Sequence, residues 1–240
     1  MHIIPSSNWT NYWQTNPEGF NDIMNLSTKY FADKLYDKYP LIKNDRVLDI
    51  GCGPGFLFNE IVKKVELFVG TDISDNYIKV CNSSSSITPN THFLVSDAYD
   101  FETYGKLILE YRINKVIMLS VLQYYQNTEM IIKLISHFKE ISRHQKFTFL
   151  IADIIPENHS VLGDVASISY NSIKKNYAFK FIKFICYALF SDYRKIKKSG
   201  LLKIKPEFFV KLADDLNVKI TVVKNITIHS GRYSVLLDFN

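Results

Sequence analysis

The clearest chemical signal in the chain is a glycine-rich stretch at residues 47–56, with the sequence VLDIGCGPGF. An apolar run that contains Asp49 is followed by glycines at every second position from Gly51 to Gly55. This pattern predicts a buried strand that ends in a tight turn before a helix begins. Because glycine has no Cβ, the backbone of such a turn can come close to a ligand. The carboxylate of Asp49 could hold a cationic or hydroxyl group of that ligand.

The spacing of these glycines separates two kinds of nucleotide-binding loop. Dinucleotide-binding folds favour the spacing G-x-G-x-x-G. This chain has G-x-G-x-G, an acid two residues before the first glycine, and Pro54 inside the loop. The pattern resembles motif I of the class I S-adenosylmethionine-dependent methyltransferases, and in particular their small-molecule branch with a helical N-terminal cap. A plain strand–turn–helix with chance glycines is the alternative.

Acidic residues also follow the next two predicted strands. Asp72 directly follows the strand at 66–71, and Asp97 directly follows the strand at 91–96. In nucleotide-binding folds an acid about 20 residues beyond the glycine turn holds ribose hydroxyls, and Asp72 lies 17 positions after Gly55. Either acid could instead cap the helix that begins after it. Three acids in order at three successive strand ends favour a binding site.

The resemblance implies a role for each position, with S-adenosylmethionine as cofactor and S-adenosylhomocysteine as product. Asp49 and the loop backbone would hold the methionine portion, and Asp72 the ribose. Adenine would contact Ile73, Asp97 and Ala98, and the acceptor would lie beside the end of the fourth strand. Cys52 is expected to be a small packing residue and not a nucleophile. The predicted cofactor-binding residues are Asp49, Gly51, Cys52, Gly53, Gly55, Asp72, Ile73, Asp97, Ala98, Ser120 and Val121.

The elements that must position these residues alternate regularly. Five predicted strands between residues 46 and 155 are separated by helices, which indicates right-handed crossovers and a parallel sheet covered on both faces. Two further strands, at 218–223 and 232–239, are joined too closely for a crossover helix and should pair antiparallel. The resemblance implies a doubly wound, Rossmann-like α/β fold. Its mostly parallel seven-stranded sheet would have the order 3-2-1-4-5-7-6, with the last strand antiparallel.

Length and composition favour one domain. The 240 residues, 47% of them hydrophobic, suffice for one sizeable core and not for two. We expect a helical N-terminal cap at 1–40, a cofactor-binding core at 46–155, a helical insertion or lid at 156–205, and a terminal helix with a β-hairpin at 206–240. Three cysteines at unrelated spacings indicate neither disulfides nor a metal site. With no apparent secretory signal or membrane span, a reducing, cytoplasmic location is expected.

Residues 174–205 are strongly basic, with ten Lys or Arg against one acid and aromatic residues interleaved. As a lid they would attract an anionic acceptor, such as a nucleotide-sugar or a lipid-linked phosphate sugar. As an amphipathic segment they could contact an acidic membrane surface, and as a patch they could bind RNA. The simplest interpretation is a solvated basic helix whose aromatic residues face inward.

A general base is needed only if the acceptor carries a proton. Asp153, near the end of the fifth strand, and His159, just beyond it, are the predicted catalytic candidates by position alone. For every histidine a surface or hydrogen-bonded structural role is the commoner alternative, and we favour it for His137, His144 and His229. No metal is predicted.

Aromatic residues are the predicted acceptor contacts. Tyr12 and Trp13, in a polar N-terminal segment, could form a flap that closes over the ligands and excludes water, or could only pack that segment onto the domain. Tyr124 and Tyr125, beyond the fourth strand, are expected to shape the acceptor pocket rather than to exchange protons.

Three functions are compatible with this sequence, and the first is favoured. It is O- or N-methylation of a small molecule, with the acceptor and the oligomeric state open. Nucleic-acid methylation is disfavoured because the stretch after strand four, SVLQY at 120–124, lacks the [DNS]-P-P-[YFW] run of amino-methylating enzymes. Carbon-5 enzymes need a cysteine that is missing near strands four and five. A non-catalytic cofactor-binding partner protein is the third possibility.

Overall fold

A computed structural model of the protein describes residues 12–14, 21–84, 87–158 and 200–240. The strands are β1 (Arg46–Ile50), β2 (Leu67–Asp72), β3 (Thr91–Val95), β4 (Lys115–Leu119), β5 (Thr148–Ile154), β6 (Lys219–Lys224) and β7 (Tyr233–Asp238). The helices are α1 (Asn21–Lys38), α2 (Phe56–Ile61), α3 (Asp75–Asn82), α4 (Phe101–Glu110), α5 (Thr128–Ile141) and α6 (Pro206–Asp215). Short 3-10 turns follow α2 and β4, at Val62–Lys64 and Leu122–Tyr124.

The seven strands form one sheet in the order β3-β2-β1-β4-β5-β7-β6. Strands β1 to β5 are mutually parallel, and β7 pairs antiparallel with both β5 and β6. The predicted strand order and the antiparallel last strand are therefore confirmed. Because parallel strands end at the same edge of a sheet, the carboxyl ends of β1 to β5 meet there, and ligands of open α/β sheets bind at this edge.

Two apolar layers cover the sheet, one on each face. Helices α1, α2 and α3 pack on one face, through side chains such as Phe31, Phe58 and Cys81. Helices α4, α5 and α6 pack on the other, through side chains such as Ile108, Phe138 and Phe209. Strands buried on both faces need continuous apolar runs rather than alternation, and all six residues of β2 are buried. The doubly wound arrangement is thus the one predicted.

Neighbouring polar residues, and not the strand-end acids, cap the helices at the ligand-binding edge. Ser74 precedes α3 and its Oγ accepts from the amide of Tyr77 at 3.3 Å. Asp100 precedes α4 and accepts from the amide of Thr103 at 3.1 Å. The alternative that Asp72 and Asp97 are the N-caps is therefore wrong.

Two predicted regions fall mainly outside the described residues. The insertion is described only at its two ends, so the lid, membrane and RNA roles considered for 174–205 stay predictions. None of the described helices is long and apolar enough to cross a membrane. Near the N-terminus, α1 packs the fully buried Phe31 and Leu35 against the sheet. The role of residues 1–40 as a cap stays a prediction.

Candidate active site

The glycine loop between β1 and α2 has a backbone that only glycine adopts readily. Gly51, Gly53 and Gly55 have φ values of 76°, 52° and 82°, in the region that L-residues rarely occupy. A Cβ on Gly51 would lie 2.3 Å from Cγ2 of Val121, at the end of β4. The amides of Gly51 and Cys52 both donate to the carbonyl of Thr71, at 2.7 and 2.9 Å. The loop is thus bound closely to the ends of β2 and β4.

Asp72 joins the end of β2 to this loop. Its Oδ2 accepts from the Gly53 amide at 2.8 Å and its Oδ1 from the Ser74 amide at 2.9 Å. Burial raises the pKa of Asp72, although these amides oppose the rise. Each carboxylate oxygen has a second lone pair, so both can still accept from ligand hydroxyls.

Asp49 lies one strand away, within β1, and is buried. Burial, with the nearby Asp72 as a second cause, raises the pKa of Asp49 to about 8. A cationic ligand group bound beside these two acids would favour their ionised forms and would in turn be stabilised by them. Asp49 itself does not reach the cleft wall described next.

A cleft of about 910 Å³, partly open to solvent, lies at the carboxyl ends of the strands. The predicted residues that line it are Trp13, Gly51, Gly53, Asp72, Ile73, Ala98, Ser120, Val121, Tyr124 and Tyr125. Other predicted residues are adjacent to the cleft but not part of its lining, namely Tyr12, Asp49, Cys52, Gly55, Asp97 and Asp153. His159 lies outside the described residues. Among the described lining residues the sole charged side chain is Asp72.

Cys52 and Gly55 support the loop from behind. The thiols of Cys52 and Cys81 both donate to the carbonyl of Gly53, at 3.6 and 3.4 Å. Contact with Cys81, together with burial, raises the pKa of the Cys52 thiol, so it is a poor nucleophile. A Cβ on Gly55 would lie 3.1 Å from the Cys81 sulfur, which fits the expected close approach of α2.

Buried tyrosines form the wall near β3. The Tyr125 hydroxyl donates to the carbonyl of Ala98 at 3.0 Å, and the Tyr104 hydroxyl to that of Asp97 at 2.9 Å. Burial raises the pKa of both tyrosines, so neither hydroxyl exchanges protons readily. Tyr99 packs edge-on against Tyr125 with ring centroids 5.2 Å apart. Asp97 is exposed and accepts from the Tyr99 amide at 2.9 Å, so its carboxylate stands beside this wall.

The N-terminal aromatic pair packs over the end of β4. Trp13 contacts Tyr124 edge-on with ring centroids 5.5 Å apart, and Tyr12 contacts Trp13 in the same manner at 5.4 Å. Tyr12 is buried with Ile23, Leu26 and Ile228. Trp13 lines the cleft. Tyr12 is buried in the domain and packs against Trp13 from behind the cleft wall.

A buried polar cluster lies directly behind Ser120. The Ser120 hydroxyl donates to Oδ2 of Asp153 at 2.7 Å, and Nη1 of Arg232 contacts the same oxygen at 2.8 Å. Nδ1 of His229 lies 2.8 Å from Oδ1. The Arg232 guanidinium also donates to Oε1 of Gln123 at 3.0 Å. We refer to these five residues as the Asp153 cluster.

The charges in this cluster determine the state of Asp153. Burial alone would raise its pKa, but Arg232 and His229 hold it well below the usual range. A carboxylate so strongly stabilised as an anion accepts a proton poorly. Its position behind Ser120, rather than in the cleft, also argues against Asp153 as the direct base.

Two residues of the cluster have unusual backbones. Ser120 and Asp153 have φ values of 57° and 70°, which non-glycine residues adopt only when their surroundings impose it. Both residues follow or end neighbouring parallel strands, β4 and β5. Strained residues of this kind concentrate at functional sites, so the cluster is a second candidate for function beside the loop.

Several lining or neighbouring residues were absent from the predicted site, namely Met24, Thr71, Tyr77, Tyr99, Tyr104 and Arg232. His229 was considered, but only a surface or hydrogen-bonded structural role was favoured for it. Met24 lies on the apolar stripe of α1, where periodicity indicates burial but not contact with a ligand. His229 and Arg232 precede β7, and only the strand order brings them to Asp153. The polar residues between two terminal strands were the one signal that could have identified them.

The residues present fit S-adenosylmethionine. The Oγ1 atom of Thr71 is buried in the cleft wall and has no hydrogen-bond partner in the described part of the chain. Gly51 and Gly53 present bare backbone to the cleft, and Asp72 offers carboxylate oxygens to hydroxyl groups. Apolar walls at Ile73 and Ala98 suit a planar base.

A glycine loop, a strand-end acid and this strand order together define an S-adenosylmethionine-dependent methyltransferase. The methyltransferase domain family model matches residues 41–180, more than half of the chain. The chain belongs to this family, and S-adenosylmethionine is its cofactor. The predicted class of enzyme is confirmed. No curated protein matches the chain.

Solved structures share the fold at low sequence identity. One is a chain from the complex of the Haloferax volcanii Trm112 methyltransferase activator with a methyltransferase, with TM-score 0.56, 12% identity, and coverage of 95% of this chain and 94% of that one. An S-adenosylmethionine-dependent methyltransferase from Archaeoglobus fulgidus has TM-score 0.55, 16% identity, and coverage of 88% and 94%. The plantazolicin methyltransferase BpumL, solved with a triazolic desmethylPZN analogue and S-adenosylhomocysteine, has TM-score 0.54, 12% identity, and coverage of 96% and 94%.

Proposed function

We propose that the protein transfers the methyl group of S-adenosylmethionine to a small molecule bound between Ser120, Tyr124 and Trp13. The observation that carries this proposal is the contact of Trp13 with Tyr124 across the end of β4. That contact covers the acceptor end of the cleft with aromatic side chains. A concave site with apolar, aromatic walls suits a small molecule better than a polymer backbone.

The cofactor would be held along the strand ends from β1 to β3. Asp72 would accept from the ribose hydroxyls, and the bare backbone of Gly51 and Gly53 would lie against the methionine portion. Ile73 and Ala98 would contact the adenine ring. When bound, the cofactor supplies a methyl group on a positively charged sulfur, which is already a strong electrophile. The task left to the protein is to orient the acceptor and to exclude water.

The character of the cleft wall favours a small acceptor over RNA. RNA-binding sites combine stacking rings with basic residues that contact phosphates. The described lining has aromatic rings but neither Lys nor Arg. The expected anionic sugar acceptor depended on the basic residues 174–205, which lie mostly outside the described residues, and the described walls give it no support.

The test is a screen for S-adenosylhomocysteine formation. Phenols, amines, carboxylic acids, nucleotide-sugars and total RNA would each be incubated with the protein and S-adenosylmethionine. We expect turnover with one of the small-molecule classes and none with RNA. The Asp72→Asn variant, run on the same panel, controls for turnover by contaminating enzymes.

Turnover with RNA alone would contradict the proposal and restore the nucleic-acid alternative. Cofactor binding without turnover in every class would favour the non-catalytic alternative.

A further inference from the structure

Ser120 lines the cleft at the end of β4, and its hydrogen bonding restricts what its side chain can offer a ligand. The Ser120 hydroxyl donates to Oδ2 of Asp153 at 2.7 Å. A serine hydroxyl has one proton to donate and two lone pairs that accept. Because Asp153 engages the proton, only lone pairs are left for a group in the cleft. Ser120 can therefore accept a hydrogen bond from a ligand but does not donate one.

The backbone holds Ser120 in this orientation. Leu119 pairs with Ala152 in the register of β4 and β5. Ser120 and Asp153 are the next pair along these strands, and their φ values are 57° and 70°. Non-glycine residues keep such conformations only where the surrounding structure imposes them. The Ser120 amide also donates to the carbonyl of Ala152 at 3.1 Å. The lone pairs of Ser120 are thus held at a fixed place at the end of β4.

Ser120 and Asp153 together make a poor base. To take a proton from an acceptor hydroxyl, Ser120 would have to pass its own proton to Asp153. Burial raises the pKa of Asp153, but the contacts with Arg232 and His229 hold it well below the usual range. A carboxylate so strongly stabilised as an anion takes up a proton poorly. Ser120 is therefore suited to bind a hydrogen of the acceptor without removing it.

The chemistry of methyl transfer then favours a neutral amine over a hydroxyl group. A hydroxyl group must lose its proton as its oxygen is methylated, so it needs a base. A neutral amine reacts through its nitrogen lone pair and keeps its hydrogens, so the nitrogen becomes positively charged. A hydrogen bond from this nitrogen to Ser120 becomes stronger as the charge develops. Such a bond stabilises the transition state more than the bound substrate.

The described lining also suits the positive charge that the nitrogen gains. Trp13 and Tyr124 meet at the end of β4 with ring centroids 5.5 Å apart, and aromatic rings attract cations. Asp72 contributes a carboxylate to the same cleft, and the residues described there include no Lys or Arg that would repel a cation. The charge of the cleft and the lone pairs of Ser120 thus favour the same kind of acceptor.

We propose that the acceptor is a neutral primary or secondary amine and that Ser120 binds its N–H group and selects it. This inference rests on the proposed small-molecule methyl transfer. The nitrogen lone pair forms a bond to the methyl carbon as the electron pair of the carbon–sulfur bond passes to sulfur. The products are an N-methylated ammonium ion and S-adenosylhomocysteine with a neutral sulfur. The ammonium ion loses its extra proton to water after release.

The test uses four probes that differ in one group on the same ring: benzylamine, N,N-dimethylbenzylamine, benzyl alcohol and benzoate. The same four groups on a cyclohexane ring form a second set. Each probe would be incubated with the protein and S-adenosylmethionine, and methylated products would be detected by mass spectrometry. We expect methylation of the primary amines alone. The dimethylamines have no N–H for Ser120, the alcohols need a base, and the carboxylates have neither a hydrogen to donate nor a favourable charge.

The pH dependence of turnover gives a second readout on the unaltered protein. Only the neutral amine has a free lone pair, so kcat/KM should rise with pH up to the pKa of the amine and level off above it. Benzylamine with a 4-trifluoromethyl group has a lower pKa, and its profile should be shifted by the difference between the two pKa values. A base on the protein would instead give the same profile for both probes.

Two serine variants test the role of Ser120. Ser120→Ala removes the lone pairs, and we expect kcat/KM for benzylamine to fall about 10- to 100-fold, as for the loss of a hydrogen bond to a charged group. Its affinity for S-adenosylhomocysteine, measured by calorimetry, should be unchanged. Ser83→Ala is the matched control, because Ser83 is exposed and its hydroxyl likewise donates one hydrogen bond, to the carbonyl of Val80 at 2.9 Å. Both quantities should be unchanged in this control.

Each other outcome overturns a different part. Loss of S-adenosylhomocysteine binding in the unaltered protein would overturn the proposed function itself. Intact binding without methylation of either primary amine, or with methylation of an alcohol or a carboxylate, would overturn the amine class. Equal methylation of the dimethylamines would overturn selection through N–H.

The variant separates acceptor from cofactor. If Ser120→Ala lost affinity for S-adenosylhomocysteine as strongly as it lost turnover, Ser120 would serve the cofactor and its role in selection would be overturned. If this variant does not fold, the pH profiles of the unaltered protein decide, since one profile shared by both benzylamines would overturn transfer to a neutral amine without a base.

Discussion

The two ends of the ligand-binding edge treat buried aspartates in opposite ways. At the cofactor end, the pKa values of Asp49 and Asp72 are raised, mainly by burial. At the acceptor end, Asp153 is equally buried, yet Arg232 and His229 hold its pKa well below the usual range. The residue type is the same and the neighbours differ. The acceptor end is neutralised within the protein, whereas the cofactor end is arranged for a ligand that brings positive charge.

The largest effect on stability is expected when the Arg232 charge that neutralises Asp153 is removed. Arg232→Met leaves Asp153 as a buried carboxylate without its guanidinium partner. Removing one partner of a buried ion pair costs about 3–5 kcal/mol, and urea denaturation should show a fall of that size in the free energy of unfolding. Asp153→Asn combined with Arg232→Met should recover most of the loss, because no uncompensated charge remains. A single variant as stable as the original protein would contradict the assignment.

At the cofactor end a smaller effect is expected, and in binding rather than in stability. Asp72→Asn removes the charge that would accept from ribose hydroxyls. Hydrogen bonds to charged groups contribute about 1.5–3 kcal/mol, so affinity for S-adenosylhomocysteine should fall roughly 10- to 100-fold by calorimetry. Asp75→Asn is the matched control, because Asp75 is an exposed aspartate of α3 that pairs with Lys79. Equal affinities in the two variants would place the ribose elsewhere.

The third effect is a change in the pH dependence of stability. Asp49, with its pKa raised to about 8, keeps a proton in the folded protein that the unfolded chain loses near about pH 4. Stability should therefore fall as pH rises from about 4 to 8. Asp49→Asn should flatten this decline. Thermal melts across that pH range would measure it, since each kcal/mol of unfolding free energy shifts the melting temperature by roughly 2–4 °C.

Asp153 is a control for this measurement, because its contribution to stability changes with pH in the opposite direction. Its lowered pKa contributes stability above the unfolded value of about 3.9 that is lost as pH falls below it. Asp153→Asn should therefore remove this loss of stability on the acid side, in addition to the overall destabilisation expected when one partner of the buried ion pair is removed. If Asp49→Asn changed the acid side instead, the contrast between the two ends would be wrong.

The sequence predicted the cofactor half of the molecule well because the information there is local. The glycines at 51, 53 and 55 have positive φ values that follow from residue type. Asp72 comes at the end of an apolar run, where a carboxylate must face the sheet edge. The strand order followed from a family resemblance on these same motifs. Each of these signals lies within about 20 residues of the loop, so no long-range pairing had to be known.

The acceptor half could not be predicted in this way. Asp153 contacts residues 76 and 79 positions later in the chain, His229 and Arg232. The predicted strand order placed β7 beside β5, but nothing in the spacing of those residues indicates that their side chains meet Asp153. The positive φ values of Ser120 and Asp153 also have no sequence signal, because neither residue is Gly or Asn. Position near a strand end identified Asp153, and its partners then changed the role assigned to it.

The placement of β7 determines when the molecule is completed during synthesis. β7 is made after β6 but lies between β5 and β6, so one side of β5 has no hydrogen-bonded neighbour until β7 has left the ribosome. An open strand edge of this kind can pair with other chains. Arg232 immediately precedes β7, and therefore reaches Asp153 at the same step that closes the edge. The nascent chain can form its cofactor half early, but the acceptor half is assembled in one late event.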